Sequence, residues 1–184
     1  TSEDATIVIQ ASNDVDERLD NLDKLEDVVI TGPAGSSVDG VIVFDGYGQS
    51  LKSLNVIDAS GAGDMDVHVK GLENAAKGME ITTAAGDDFV SGTEKADIIT
   101  TNEGDDIALG NGGADVLVVS GGATATVTVS VAWTATASTS NSGTANLTSA
   151  GFGVDLAAVS GGSAGFRVTN TGGAATFTGS DFAD

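Results

Sequence analysis

Four aspartates recur at intervals of nine residues: Asp88, Asp97, Asp106 and Asp115. Each is followed two places later by an aliphatic residue, Val90, Ile99, Ala108 or Leu117, and three are preceded two places earlier by glycine, at Gly86, Gly104 and Gly113. Carboxylates and the carbonyls of glycine-rich turns are hard oxygen donors, the set that Ca²⁺ prefers. Carboxylates brought together by a repeat repel one another unless a cation lies between them. The chemistry this pattern suits is metal binding that holds a structure together.

The elements that must position these groups follow from the period. Residues 83–118 divide without remainder into TAAGDDFVS, GTEKADIIT, TNEGDDIAL and GNGGADVLV. Nine residues are too few for a helical repeat and fit one short strand plus one tight turn. The triplets FVS, IIT, IAL and VLV are apolar and rich in β-branched residues, which suits a pleated, buried position. The turns between them are rich in Gly and Asp, which tolerate the backbone angles and local hydrogen bonds of tight turns. If successive strands lie on opposite walls of a flattened coil, two units complete one coil. Asp88 then stacks over Asp106, and Asp97 over Asp115. Asp87 and Asp105, at the fifth place of their units, face outward, and Asp64 and Asp66 are further candidate ligands one coil upstream.

The four units resemble the nonapeptide G-G-x-G-x-D-x-U-x of the RTX family of secreted bacterial proteins. The resemblance implies an all-β fold, a parallel β-roll with calcium-binding turns. It implies that the metal is held by Asp88, Asp97, Asp106 and Asp115 with turn carbonyls near Gly86, Gly104 and Gly113. The second unit departs from the pattern, because Thr93 and Lys95 stand where glycines are expected. Lys95 brings a positive charge to the edge that carries Asp97. The phrase VIDASGAGDMDVHV resembles connecting coils in bacterial surface-layer proteins that carry such repeats.

Composition narrows the partners. The formal net charge of −20 over 184 residues argues against nucleic acid phosphates and anionic membrane surfaces. Residues 1–118 hold 24 acids and 6 bases, whereas residues 119–184 hold 3 acids and 1 base. That shift places a boundary near Ser120-Gly121-Gly122, giving segments 1–27, 28–119 and 120–184. There is no cysteine, so rigidity must come from elsewhere, and bound metal is the candidate. No apolar run approaches the ~20 residues of a membrane helix. The sequence opens at Thr1, as a processed or excised chain would.

Taken in order, residues 5–10 predict a strand and residues 12–27 a helix, with Leu19, Leu22 and Leu25 on one face. Strands are predicted at 28–31, 41–44, 53–57, 66–69 and 79–82. Residues 124–138 alternate Thr and Ser with Val, Ala and Trp133, which predicts one long half-buried strand. Further strands are predicted at 144–148, 153–159, 166–169 and 175–178. Turn signals between them favour an antiparallel sheet over a continuation of the solenoid without metal loops.

No catalytic constellation emerges. His68, the one histidine, is flanked by Val67 and Val69 and is expected to point out of a strand. There is no G-x-S-x-G elbow. Arg18 and Arg167, the two arginines, lie outside the predicted coil. The expected function is therefore non-enzymatic: an extracellular structural protein, a calcium-stabilised subunit of a bacterial surface layer or filament. A calcium-dependent adhesion or glycan-binding module and the non-catalytic tail of a secreted hydrolase remain open. Expected partners are further copies of the chain and cell-surface polysaccharide. Residues 5–10 are a candidate strand for pairing with a neighbouring copy.

Overall fold

The computed structural model describes residues 5–10, 25–31, 41–46 and 51–184. They form strands and turns, with no helix among the described residues. One wall contains β1 (Ala5–Gln10), β2 (Leu25–Thr31), β4 (Val56–Gly61), β6 (Glu80–Thr82), β8 (Ile98–Thr101), β10 (Val116–Val119), β13 (Ser140–Asn141) and β16 (Gly161–Gly162). The opposite wall contains β3 (Val41–Asp45), β5 (Asp66–Lys70), β7 (Phe89–Ser91), β9 (Asp105–Leu109), β11 (Thr124–Val129), β14 (Thr144–Ser149) and β17 (Phe166–Asn170). A short third wall holds β12 (Trp133–Thr134), β15 (Val154–Asp155) and β18 (Phe177–Thr178). The chain moves from wall to wall, and the pairing is parallel throughout, as in β6–β8, β7–β9 and β11–β14. The fold is an all-β parallel solenoid, and the repeat block is a β-roll within it.

Its core is a set of ladders. On the first wall Val28, Ile57, Ile81, Ile99 and Leu117 follow one another in register and are all buried. On the second wall Phe44, Val69, Val90, Ala108, Val127 and Leu147 do the same. Each fully buried Val, Leu or Ile contributes about 1.5–3 kcal/mol relative to exposure. The alternate residues face outward. His68 is one of them, and its ring meets Phe89 edge-on at 6.1 Å between centroids.

Four expectations need correction. The region 120–184 is not antiparallel: β9, β11, β14 and β17 pair in parallel and carry the second wall straight on. Alternation has the same period in both kinds of sheet, so it could not decide between them. The long strand at 124–138 is two strands. β11 ends at Val129, Val131 is 41% exposed at the corner, and β12 begins on another wall at Trp133. Of the helix predicted at 12–27, residues 12–24 lie outside the described residues, and Leu25, Glu26 and Asp27 belong to β2. Their place in the wall is set by pairing with β1 and β4, which overrides the leucine spacing. The strand predicted at 53–57 begins only at Val56.

The change in charge near Ser120 falls at a turn, across which both walls pass: β10 pairs with β13 as β9 pairs with β11. β1 pairs along its length with β2 of its own chain.

Candidate metal centre

The repeat block makes two coils. The first is units one and two, with β7 and β8; the second is units three and four, with β9 and β10. Phe89 pairs with Ile107 and Ile98 with Val116, so the turns of the nine-residue units stack in two columns, one on each edge. Asp88 and Asp106 share one column and Asp97 and Asp115 the other. The main-chain N–H of Asp88 donates to Asp106 Oδ1 at 3.1 Å, and that of Asp97 to Asp115 Oδ1 at 3.0 Å. Asp88, Asp97 and Asp106 are 2% exposed or less. Asp88, Asp97 and Asp115 each occupy the last position before their strand, whereas Asp106 is the second residue of β9.

Glycine makes the close approach possible. A Cβ on Gly92 would stand 2.5 Å from Asp97 Oδ2, and one on Gly110 would collide with Asp115 Oδ2. On the other edge Thr83 and Thr101 occupy the equivalent place, and both are fully buried. Gly104 and Gly113 adopt φ of 108° and 109°, a region that L side chains avoid. A Cβ on Gly104 would strike the Gly86 carbonyl, and one on Gly113 the Lys95 carbonyl.

The two coils treat their carboxylates differently. In the first coil, Asp88 accepts from Val67 N–H at 2.5 Å on Oδ1 and Ala84 N–H at 3.0 Å on Oδ2. Asp97 accepts from Met79 N–H at 2.7 Å and the Thr93 hydroxyl at 2.9 Å on Oδ1, and from Thr93 N–H at 2.7 Å on Oδ2. In the second coil, Asp106 accepts through Oδ1 alone, and its buried Oδ2 has no hydrogen-bond partner. The buried Thr101 hydroxyl is also without a partner. Buried polar atoms are nearly always bonded, and of the three orphans among the described residues two belong to this one unit, which points to a ligand there; the third is the Thr139 hydroxyl.

Electrostatics agree with that geometry. Burial, aided by the charges of Asp88 and Asp97 respectively and opposed by one main-chain hydrogen bond each, pushes Asp106 and Asp115 up to about 7. Asp88 is pushed up to about 6 by burial, against the hydrogen bonds from Val67, Thr83 and Ala84 that favour its charged form. Burial raises Asp97 as well, and its bonds to Met79 and Thr93 oppose the rise. A cation would let these groups ionise at neutral pH.

The remaining candidates are placed as follows. Asp66, Asp87 and Asp105 form an outer ladder, with Asp87 N–H donating to Asp66 Oδ1 at 3.0 Å and Asp105 N–H to Asp87 Oδ1 at 2.9 Å. Asp64 is exposed and outside it. Lys95 is exposed; its N–H bonds the Thr93 hydroxyl at 2.9 Å. Gly104 O accepts from Thr124 N–H at 2.8 Å and so ties the second coil to the next.

Sequence reasoning passed over four groups. Asn102 and Asn111, at the second place of their units, send side-chain N–H groups to the Thr83 carbonyl at 2.6 Å and the Gly92 carbonyl at 2.8 Å. Trp133 donates from Nε1 to the Asp115 carbonyl at 2.9 Å and ends that column with a buried indole. Far along the chain, Asp184 accepts from Phe166 N–H at 2.7 Å, the Ser180 hydroxyl at 2.8 Å and Ser180 N–H at 2.5 Å. Its turn, GSDFAD, repeats GTEKAD of the second unit, and that likeness was the available signal. Burial is the largest single influence on Asp184 and raises its pKa, but these bonds together outweigh it and leave the pKa lowered.

The donor set fits a hard divalent cation. Among the described residues no three carboxylate or imidazole groups converge on one point. A metal here must take most of its oxygens from main-chain carbonyls and one or two carboxylates, as tight glycine turns allow. An open groove of about 430 Å³, lined by Ala84, Ala85, Asn102, Glu103 and Ser120 and as apolar as it is polar, lies on the Asp88–Asp106 edge. No curated protein and no solved structure matches the chain. Residues 82–117 do match the family model of the RTX calcium-binding nonapeptide repeat, in 4 copies, one residue out of step with the units defined above. This stretch, about a fifth of the chain, is thus an RTX block, and the protein is a calcium-binding β-roll carried within a longer β-solenoid.

Proposed function

We propose that the protein is an extracellular, non-enzymatic structural module: a calcium-stabilised subunit of a bacterial surface layer or filament. The stacked turns of Asp88 with Asp106 and Asp97 with Asp115 are its calcium seats, with carbonyls of the Gly86, Gly104 and Gly113 turns completing the donor set. Bound calcium supplies the positive charge that allows buried carboxylates to stay ionised in a chain of net charge −20.

The observation that carries the assembly reading is the run of parallel walls. Among the described residues the walls begin at β1 and β3 and finish at β16 and β17. Among the described residues each of these strands pairs with another strand on one side only, so its outer edge can offer main-chain donors and acceptors, save at Phe166, whose N–H is taken by Asp184. Two different ends that can pair make a head-to-tail contact, and such contacts propagate into open filaments. Residues 119–184, with 3 acids and 1 base, add little repulsion to that contact.

Electron microscopy and light scattering with calcium and with chelator test this. Filaments or sheets that form with calcium and dissolve on chelation are expected. A monomer at high concentration in calcium would overturn it, and glycan binding by that monomer would favour the adhesion reading.

A further inference from the structure

Within the RTX block we propose that calcium is taken by the carboxylates of the second coil, Asp106 and Asp115, while Asp88 and Asp97 act as metal-free locks. Asn102 and Asn111 are the positioning residues that decide which turn is which. This rests on the calcium reading of the block.

Three turns are closed in one way. The N–H four residues before the aspartate donates to its Oδ2: Ala84 to Asp88 at 3.0 Å, Thr93 to Asp97 at 2.7 Å, and Ser180 to Asp184 at 2.5 Å. A second N–H, from the neighbouring coil, takes Oδ1 in each: Val67, Met79 and Phe166. Both oxygens of these carboxylates are satisfied by the protein, and a metal would have to displace those bonds.

Two turns are open. In the turn of Asp106, the N–H of Asn102 goes instead to the Thr83 hydroxyl at 3.3 Å, while its side-chain amide holds the Thr83 carbonyl at 2.6 Å. In the turn of Asp115, Asn111 adopts φ of 65° and its amide holds the Gly92 carbonyl at 2.8 Å and the Ser91 hydroxyl at 3.2 Å. Asparagine tolerates this left-handed conformation better than other non-glycine residues. In both turns the side chain anchors to the coil before it, and no hydrogen bond runs from the second-place main-chain N–H to the carboxylate as it does in the closed turns. Asp106 Oδ2 is left buried and unpartnered, and so is the hydroxyl of Thr101 at the first place of the same unit. In the first coil the equivalent Thr83 hydroxyl is engaged with Asp88. Alanine, threonine or serine at the second place thus accompanies a closed turn, and asparagine an open one. The glycines with positive φ at the fourth place, Gly104 and Gly113, occur only in the open pair.

Carboxyl-carbon NMR of the unmodified full chain, titrated with calcium chloride, reads each aspartate separately. Large shifts at Asp106 and Asp115 with small ones at Asp88 and Asp97 are expected. Equal shifts at all four would overturn the division between coils and leave the calcium reading intact; no shift at any of them would overturn both. Calorimetric titration of Asn102→Ala gives a second readout. Closing that turn should weaken calcium there by about 10–100-fold, the usual effect of losing a group that orients a ligand. Thr93→Asn, the reverse change, should open the Asp97 turn and bring its carboxyl carbon into the calcium-sensitive set. Unchanged affinity in Asn102→Ala together with a silent Asp97 in Thr93→Asn would overturn the role of asparagine.

Discussion

The place of Asp106 on the second wall is filled, in the coils that follow, by Ala125, Ala145 and Phe166, each in register with the last. All four side chains are buried. One ladder position therefore runs from carboxylate to methyl to phenyl while the walls continue unchanged. The backbone pairing is common to both halves; what differs is how the inside of the turn is made tolerable. In the acidic half a charge is buried and needs a counter-charge. In the neutral half nothing is charged there, and apolar burial alone suffices.

The largest expected consequence of that difference is the effect of removing calcium. Two sites with calcium about 100-fold above Kd contribute about 5 kcal/mol together, which corresponds to about 10–20 °C in melting temperature for a chain of this size. Thermal unfolding followed by circular dichroism, with calcium and with chelator, checks this. Identical curves would mean that both halves are held by apolar burial alone.

A smaller effect, with a change of sign, is expected from Asp106→Ala. In calcium the variant loses a ligand and should melt lower. In chelator it replaces an unpartnered buried oxygen, worth about 1–3 kcal/mol of penalty, with the side chain already present at Ala125 and Ala145. The loss of the acceptor for Asp88 N–H offsets part of that gain. The variant in chelator should therefore be as stable as the unmodified chain or more so. A drop of equal size in both conditions would show that Asp106 is structural and not a ligand.

Much of this was legible in the sequence. The nine-residue period located β7, β8, β9 and β10, and Asp at the sixth place identified the buried column. Three features were not legible, for physical reasons. Val127, Val129, Val131 and Trp133 share one parity in the sequence and read as one strand, although the chain turns at Val131, which is exposed, and only the residues on either side of the corner face inward. A parallel ladder and an antiparallel one both alternate, so residues 120–184 carried no mark of their pairing partner. The difference between coils depends on where one N–H points, and asparagine at the second place became informative only when Ala84, Thr93 and Ser180 could be seen closing the same turn.

The gentlest test of the comparison is pH in the absence of calcium. Asp106 and Asp115 are pushed up to about 7 and Asp88 to about 6 in the folded chain, from 3.8. Between about pH 4 and 7 the fold thus holds protons that the unfolded chain has released, and its stability falls as pH rises through that window. In chelator the melting temperature should be higher at pH 5 than at pH 8. Asp184, with its pKa lowered, works weakly in the opposite sense. A higher melting temperature at pH 8 would mean that the buried carboxylates are satisfied without a cation.

Amide hydrogen exchange of the full chain, resolved along the sequence and compared in calcium and in chelator, tests the central claim most directly. On chelation the amides of β9 and β10 and their turns should lose protection, while those of β11, β14 and β17 keep it. Equal loss across both halves, or protection unchanged in residues 102–118, would contradict a solenoid whose metal dependence resides in its acidic coils.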